Sequence, residues 1–159
     1  MSRIITQSLE GNVLHAFGLA EEFLRICPEN IRDKKFGGWP VWQQLFHPFS
    51  SIDFFLRPAG APESASPFPP AVGELKESPA QAPAKLVLED YISQVEARVK
   101  EYVSSLNDDM LKQKNEGLSQ RIGHEMTHAS TLALIASHTM YHIGCCDAAL
   151  REHGLPGVF

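Results

Sequence analysis

A chain of 159 residues is long enough to bury an ordinary hydrophobic core without disulfides or a structural metal. Apolar residues make up 43% and charged residues 21%, which argues against a disordered or membrane-embedded class, and no run approaches the roughly 18 apolar residues of a bilayer span. The net charge of −5, with no basic cluster beyond Arg32, Lys34 and Lys35, leaves no electrostatic footprint for nucleic acid.

Residues 1–159 are read as one domain. Met1 to Glu10 lacks the basic-then-apolar order of a secretion signal, and three cysteines are an odd number. Cys145 and Cys146 are neighbours in a helical pattern, where their side chains diverge and pair poorly. Reduced thiols and a cytoplasmic location are the expectation.

From Ile4 to Ile26, Ile5, Leu9, Val13, Phe17, Ala20 and Leu24 recur at three and four, which predicts a first helix closed by Pro28. A second helix is predicted from Trp39 to Leu56, with Pro40 in its first turn. Pro48 lies inside it and lacks a donor, so a kink or break is expected immediately after His47. The stretch from Pro58 to Ala84 holds seven of the eleven prolines. It is expected to be an extended crossover covering one end of a pocket, or else a mobile linker. Leu88, Tyr91, Val95, Val99, Tyr102 and Leu106 predict a third helix from Lys85 to Leu106.

After a polar connection, Thr131, Leu134, Ile135, His138, His142, Cys145 and Ala149 line one face of a last long helix, ended by Gly154 and Pro156. Four helices, no alternating strand pattern and one long connection predict an all-α, antiparallel four-helix bundle.

His138 and His142 lie about 40° apart around that helix, so both imidazoles project from one face, one turn apart. Two histidines at this spacing often face solvent or pack in a core. Here the face also carries Leu134, Ile135 and Ala149, so it should point inward, where neutral imidazoles need partners and a metal would satisfy both. His47 is the candidate third ligand, since Leu45, Phe46, Phe49 and Ile52 carry its segment into the core. The competing reading is a hydrogen-bonded core histidine.

Two segments resemble a known family, the DinB-like proteins, also called YfiT-like metal-dependent hydrolases. One is Trp39 to Leu56, with the tryptophan, Leu45, His47 and Phe55-Leu56; the other is His138-Thr-Met-Tyr-His142-Ile-Gly144. The resemblance implies a four-helix bundle in which one histidine of the second helix and a pair in the last hold a divalent metal. His47, His138 and His142 occupy those positions. Three nitrogen ligands leave coordination sites for water or substrate, as catalytic zinc sites do. Many members carry Gln after the glycine, where this chain has Cys145.

The implied activity is a metal-dependent hydrolase or a thiol-dependent transferase acting on a small molecule, in one version a thiol. One divalent ion, zinc or nickel, is the expected cofactor. A homodimer is the one macromolecular partner expected, with no nucleic acid and no membrane. A non-enzymatic metal-dependent binding or sensing protein is the alternative class. Cys145, seven residues past His138, could be a fourth ligand or a pocket thiol, whereas buried cysteine is also common as a small hydrophobe. Tyr141 is either a hydrogen-bond donor to the pocket or a core residue.

His124-Glu125-Met126-Thr127-His128 competes with this reading, because in zinc peptidases that pattern supplies two ligands and a base from one helix. The further ligand at metzincin spacing is missing and no strand upstream could align a peptide. Thr127 or Ser130 is better read as a helix cap. Glu125 and His128 match half of a di-iron carboxylate site, without partner carboxylates on facing helices.

Overall fold

The computed structural model describes residues 2–159. The stripe at three-and-four spacing produces α1 (Ile4–Ile26), which buries Val13, Phe17, Ala20 and Leu24, while Ile5 at its start is exposed. Pro28 precedes the one-turn α2 (Glu29–Arg32).

The Trp39 segment departs from the helix expected there. Gly37 and Gly38 take positive φ and turn a small antiparallel hairpin, β1 (Lys35–Phe36) against β2 (Trp39–Pro40). Trp39 pairs with Phe36, and Pro40 has ψ 142° and caps the helix instead of entering its first turn. The helix α3 therefore runs Val41–Leu56. Of the kink or break expected at Pro48, the break does not occur, since the helix is continuous through it. Pro48 forfeits one backbone bond, but the turn around it buries Phe46, Phe49 and Ile52, and Ser51 Oγ donates to the His47 carbonyl at 2.9 Å.

Between α3 and the next long helix, the only regular element among the described residues is the one-turn α4 (Pro70–Gly73). Gln43 Nε2 pins it, donating to the carbonyls of Val72 (2.9 Å) and Glu77 (2.6 Å). Helix α5 (Lys85–Ser104) buries Leu88, Tyr91, Val95 and Val99 as the spacing predicts. It stops short of Leu106, whose N–H closes a tighter turn on Val103 O. The polar connection contains a short helix the sequence reading missed, α6 (Glu116–Ile122). It is capped by Asn115, whose side chain accepts from Leu118 N, and stopped by left-handed Gly123. Thr127 caps α7 (His128–Glu152) by accepting from Ser130 N.

Helix α7 packs along α1 and α3, and α5 packs against the same two helices. Their buried apolar residues form one cluster, in which Phe17, Trp42, Phe46 and Phe49 are nearly fully enclosed. The fold is all-α apart from the hairpin. Among the described residues no helix is long and apolar enough to cross a membrane.

Candidate metal centre

Helix α3 brings His47 to the same point in space as His138 and His142 of α7, and one ring nitrogen of each lies within 4.8 Å of the other two. The ring centroids are 4.5 to 4.9 Å apart. His142 is buried, and His47 and His138 are half-buried. The His47 Nε2 to His138 Nε2 distance is 3.2 Å. Two nitrogens bound tetrahedrally at the usual zinc–nitrogen length of about 2.0–2.1 Å stand roughly 3.3 Å apart, so the pair is already at ligand spacing.

The far side of two rings fixes their tautomers. His47 Nδ1 donates to Gly73 O at 2.5 Å, and His142 Nδ1 donates to Gln44 Oε1 at 2.9 Å. Each bond keeps the proton on Nδ1 and leaves Nε2 with a lone pair for an ion. The third ring has no such anchor: His138 Nδ1 is buried without a described partner. Burial draws the His47 pKa below its ordinary value even though the Gly73 carbonyl opposes it. Burial, and then the neighbouring His47, brings His138 down to about 4. Burial, then His47 and His138, brings His142 down to about 3. Near neutral pH the three rings are uncharged, the state in which imidazole binds metals. Donor chemistry, spacing and tautomers all fit a divalent ion.

The anchors are residues the sequence reading did not single out. Gln44 had a signal: with Gln43 it forms a pair of amides within one turn of His47 in an otherwise apolar run. Gly73 had none, because it acts through its backbone. A Cβ there would collide with Ser50 Oγ, so the turn approaches α3 only as glycine.

A cavity of about 460 Å³ opens beside His47. Phe54, Phe55 and Asp53 of α3 form one side, and Glu63, Phe68 and Gly73 of the segment after α3 form another. That segment does cover a pocket. On the wall, Asp53 accepts from Tyr91 OH at 2.6 Å and pairs with Arg98 at 2.7 Å.

The remaining candidates fall outside this centre. The buried stripe of α7 runs through Ile135, Thr139, His142, Ile143, Cys146 and Leu150, so Leu134, His138 and Cys145 sit on its flank. Cys145 is neither in the three-histidine cluster nor on the cavity wall, and Cys146 is the core thiol, fully buried with Sγ near Val41 O. Tyr141 is 67% exposed, its ring edge-on to His142. His124 and Glu125 are exposed in the loop before α7, and His128 is the first helical residue, its Nδ1 2.7 Å from Tyr102 OH. The peptidase pattern therefore lacks the single helix that would set its two histidines one turn apart.

The protein is thus an all-α chain whose second long helix and last helix converge three imidazoles at the edge of a cavity. The DinB superfamily model matches residues 12–146, a span containing all three histidines, and the chain belongs to that superfamily. No curated protein matches it.

Proposed function

We propose that this chain holds one divalent ion, zinc or nickel, on His47, His138 and His142, and that it acts on a small molecule in the adjoining cavity as a metal-dependent hydrolase or thiol-dependent transferase. The observation that carries this reading is the pair of anchors, Gly73 O on His47 and Gln44 Oε1 on His142, which turn two Nε2 lone pairs toward the third ring. When bound, the ion supplies Lewis-acid activation of a water or thiol near neutral pH. The protein's part is to present three neutral donors, so the ion keeps its full charge, and to wall one side with the segment after α3. Elemental analysis of protein purified without added metal should find close to one ion per chain. Turnover of ester, amide or thiol-transfer substrates should vanish on chelation and return with zinc or nickel. Metal-free protein unable to rebind either ion would contradict the reading.

One observation favours the alternative, a non-enzymatic metal-dependent binding or sensing protein. Asp53, the carboxylate on the α3 wall of the cavity, is already engaged by Tyr91 and Arg98 and is not free to act as a base. Ion-dependent ligand binding without turnover would decide for that class. The ring of contacts among α1, α3, α5 and α7 supports a four-helix bundle of DinB type forming one domain, with the proline-rich segment as its crossover. Cytoplasmic location and homodimerisation are part of the same proposal.

A further inference from the structure

The cavity has a second polar end, away from the histidines. Arg57 follows α3 directly and lines the wall, its side chain only 17% exposed. Its described ion partner is Glu63, 3.2 Å away, whose side chain is 67% exposed in a stretch with no regular structure. Behind it stands Arg121 of α6, whose Nη2 donates to the Arg57 carbonyl at 2.6 Å. Both guanidiniums lie over the same Phe54 ring, at 5.9 Å and 5.1 Å from its centroid. Arg121 Nε is buried without a partner, and no described carboxylate lies within ion-pair reach of Arg121.

The other charges of the cavity are matched. Asp53 has Arg98, and Glu74 has Lys76. Arg57 on the wall, with Arg121 behind it, leaves two cations beside one exposed carboxylate. A guanidinium presents a planar fork suited to a carboxylate, and a ligand bringing its own carboxylate could replace Glu63 without breaking any helix. Ten residues of helix separate His47 from Arg57, about 15 Å along the axis. A ligand bridging the two ends is therefore on the order of 10–15 Å long.

We propose that Arg57, backed by Arg121, is the carboxylate-recognition group of this cavity, that its ligand is a small organic acid, and that Glu63 occupies Arg57 until such an acid displaces it. This rests on the cavity being the ligand site named above, with the acid's other end toward His47. It does not require the metal for binding at Arg57.

The test is calorimetric titration of wild type, E63Q, R57Q and R121Q with a homologous series of short mono- and dicarboxylates, their neutral amides and inorganic phosphate. Each protein is used metal-free and zinc-loaded, with zinc content and circular dichroism read on the same samples. E63Q should bind at least one acid roughly three- to tenfold more tightly than wild type. The matching amide should bind about tenfold more weakly, and R57Q should lose about tenfold, with a smaller loss in R121Q. The proposal is overturned if E63Q binds none of the acids, binds them no better than wild type, or prefers phosphate. Equal affinity of folded R57Q and wild type would overturn it too; should R57Q not fold, E63Q against wild type decides. Zinc content should not change across the set, so a failed metal centre with intact acid binding is separable from a failed acid site.

Discussion

His142 Nδ1 donates to Gln44 Oε1 at 2.9 Å, and this one bond decides which nitrogen of the ring faces the cluster. The amide cannot turn over, because Gln44 Nε2 donates in turn to Phe36 O of the hairpin at 3.1 Å. The strand residue Phe36 thus orients an imidazole on the last helix through a side chain of α3. Gln44→Ala frees the His142 tautomer and should weaken metal affinity by about 10–100-fold with helicity retained, as loss of an outer hydrogen bond to a ligand does. Unchanged affinity would mean that His142 is oriented by packing alone.

Gly73→Ala tests the other anchor. The new methyl meets Ser50 and must push the α4 turn away from α3, carrying its carbonyl off His47. Overpacking of this kind costs about 1–3 kcal/mol. The expected result is a lower melting temperature together with weaker metal binding, checked by thermal denaturation and competitive chelation. A stability loss with unaltered affinity would separate the turn from the metal centre.

The peptidase-like motif yields a sharper contrast. His124→Ala and Glu125→Ala alter exposed loop residues and should leave metal content intact. His128→Ala removes the contact with Tyr102 OH, costing on the order of 1 kcal/mol of stability, again with metal content unchanged. Loss of the ion in any of the three would restore the motif as a site.

Acid stability should depend on a junction between α1 and the end of α5. Arg3 donates to the carbonyls of Leu106 and Val103, while Asp108 accepts from Thr6 N, Thr6 Oγ1 and Ser2 Oγ. Desolvation pulls the Asp108 pKa upward, but those hydrogen bonds together outweigh it and hold the carboxyl at about 2. A folded pKa below the unfolded value of about 4 adds stability at higher pH that drains away as the pH falls from there through about 2. Asp108→Ala should therefore melt earlier than wild type at pH 7, the gap closing in strong acid. A gap independent of pH would assign Asp108 a purely steric role.

The long helices were legible because their apolar residues recur at three and four, and His138 and His142 were legible as a pair for the same reason. Periodicity could not rank residues across the buried stripe of α7. It placed Leu134 and Cys145 with the core, whereas the stripe centres on Thr139, Ile143 and Cys146. The hairpin at Trp39 was missed because two-residue strands carry no alternation, although Gly37 and Gly38 marked the turn. Asn115 and Gly123 bracket α6 with an ordinary cap and stop, hidden in a polar stretch. Gly73 and the Arg57–Arg121 pair lay beyond reach, since both depend on segments distant in sequence meeting in space.

The proposed metal centre needs His47 to complete the pair formed by His138 and His142. Its most direct test is the zinc affinity of His47→Ala against wild type, measured by competition with a chromophoric chelator and read beside far-ultraviolet circular dichroism. A large loss of affinity is expected in a chain that keeps its helical spectrum, because the apolar cluster joining α1, α3, α5 and α7 does not include the three histidines. Equal affinity in the variant and wild type would contradict it, leaving His47 as a core histidine bonded to Gly73.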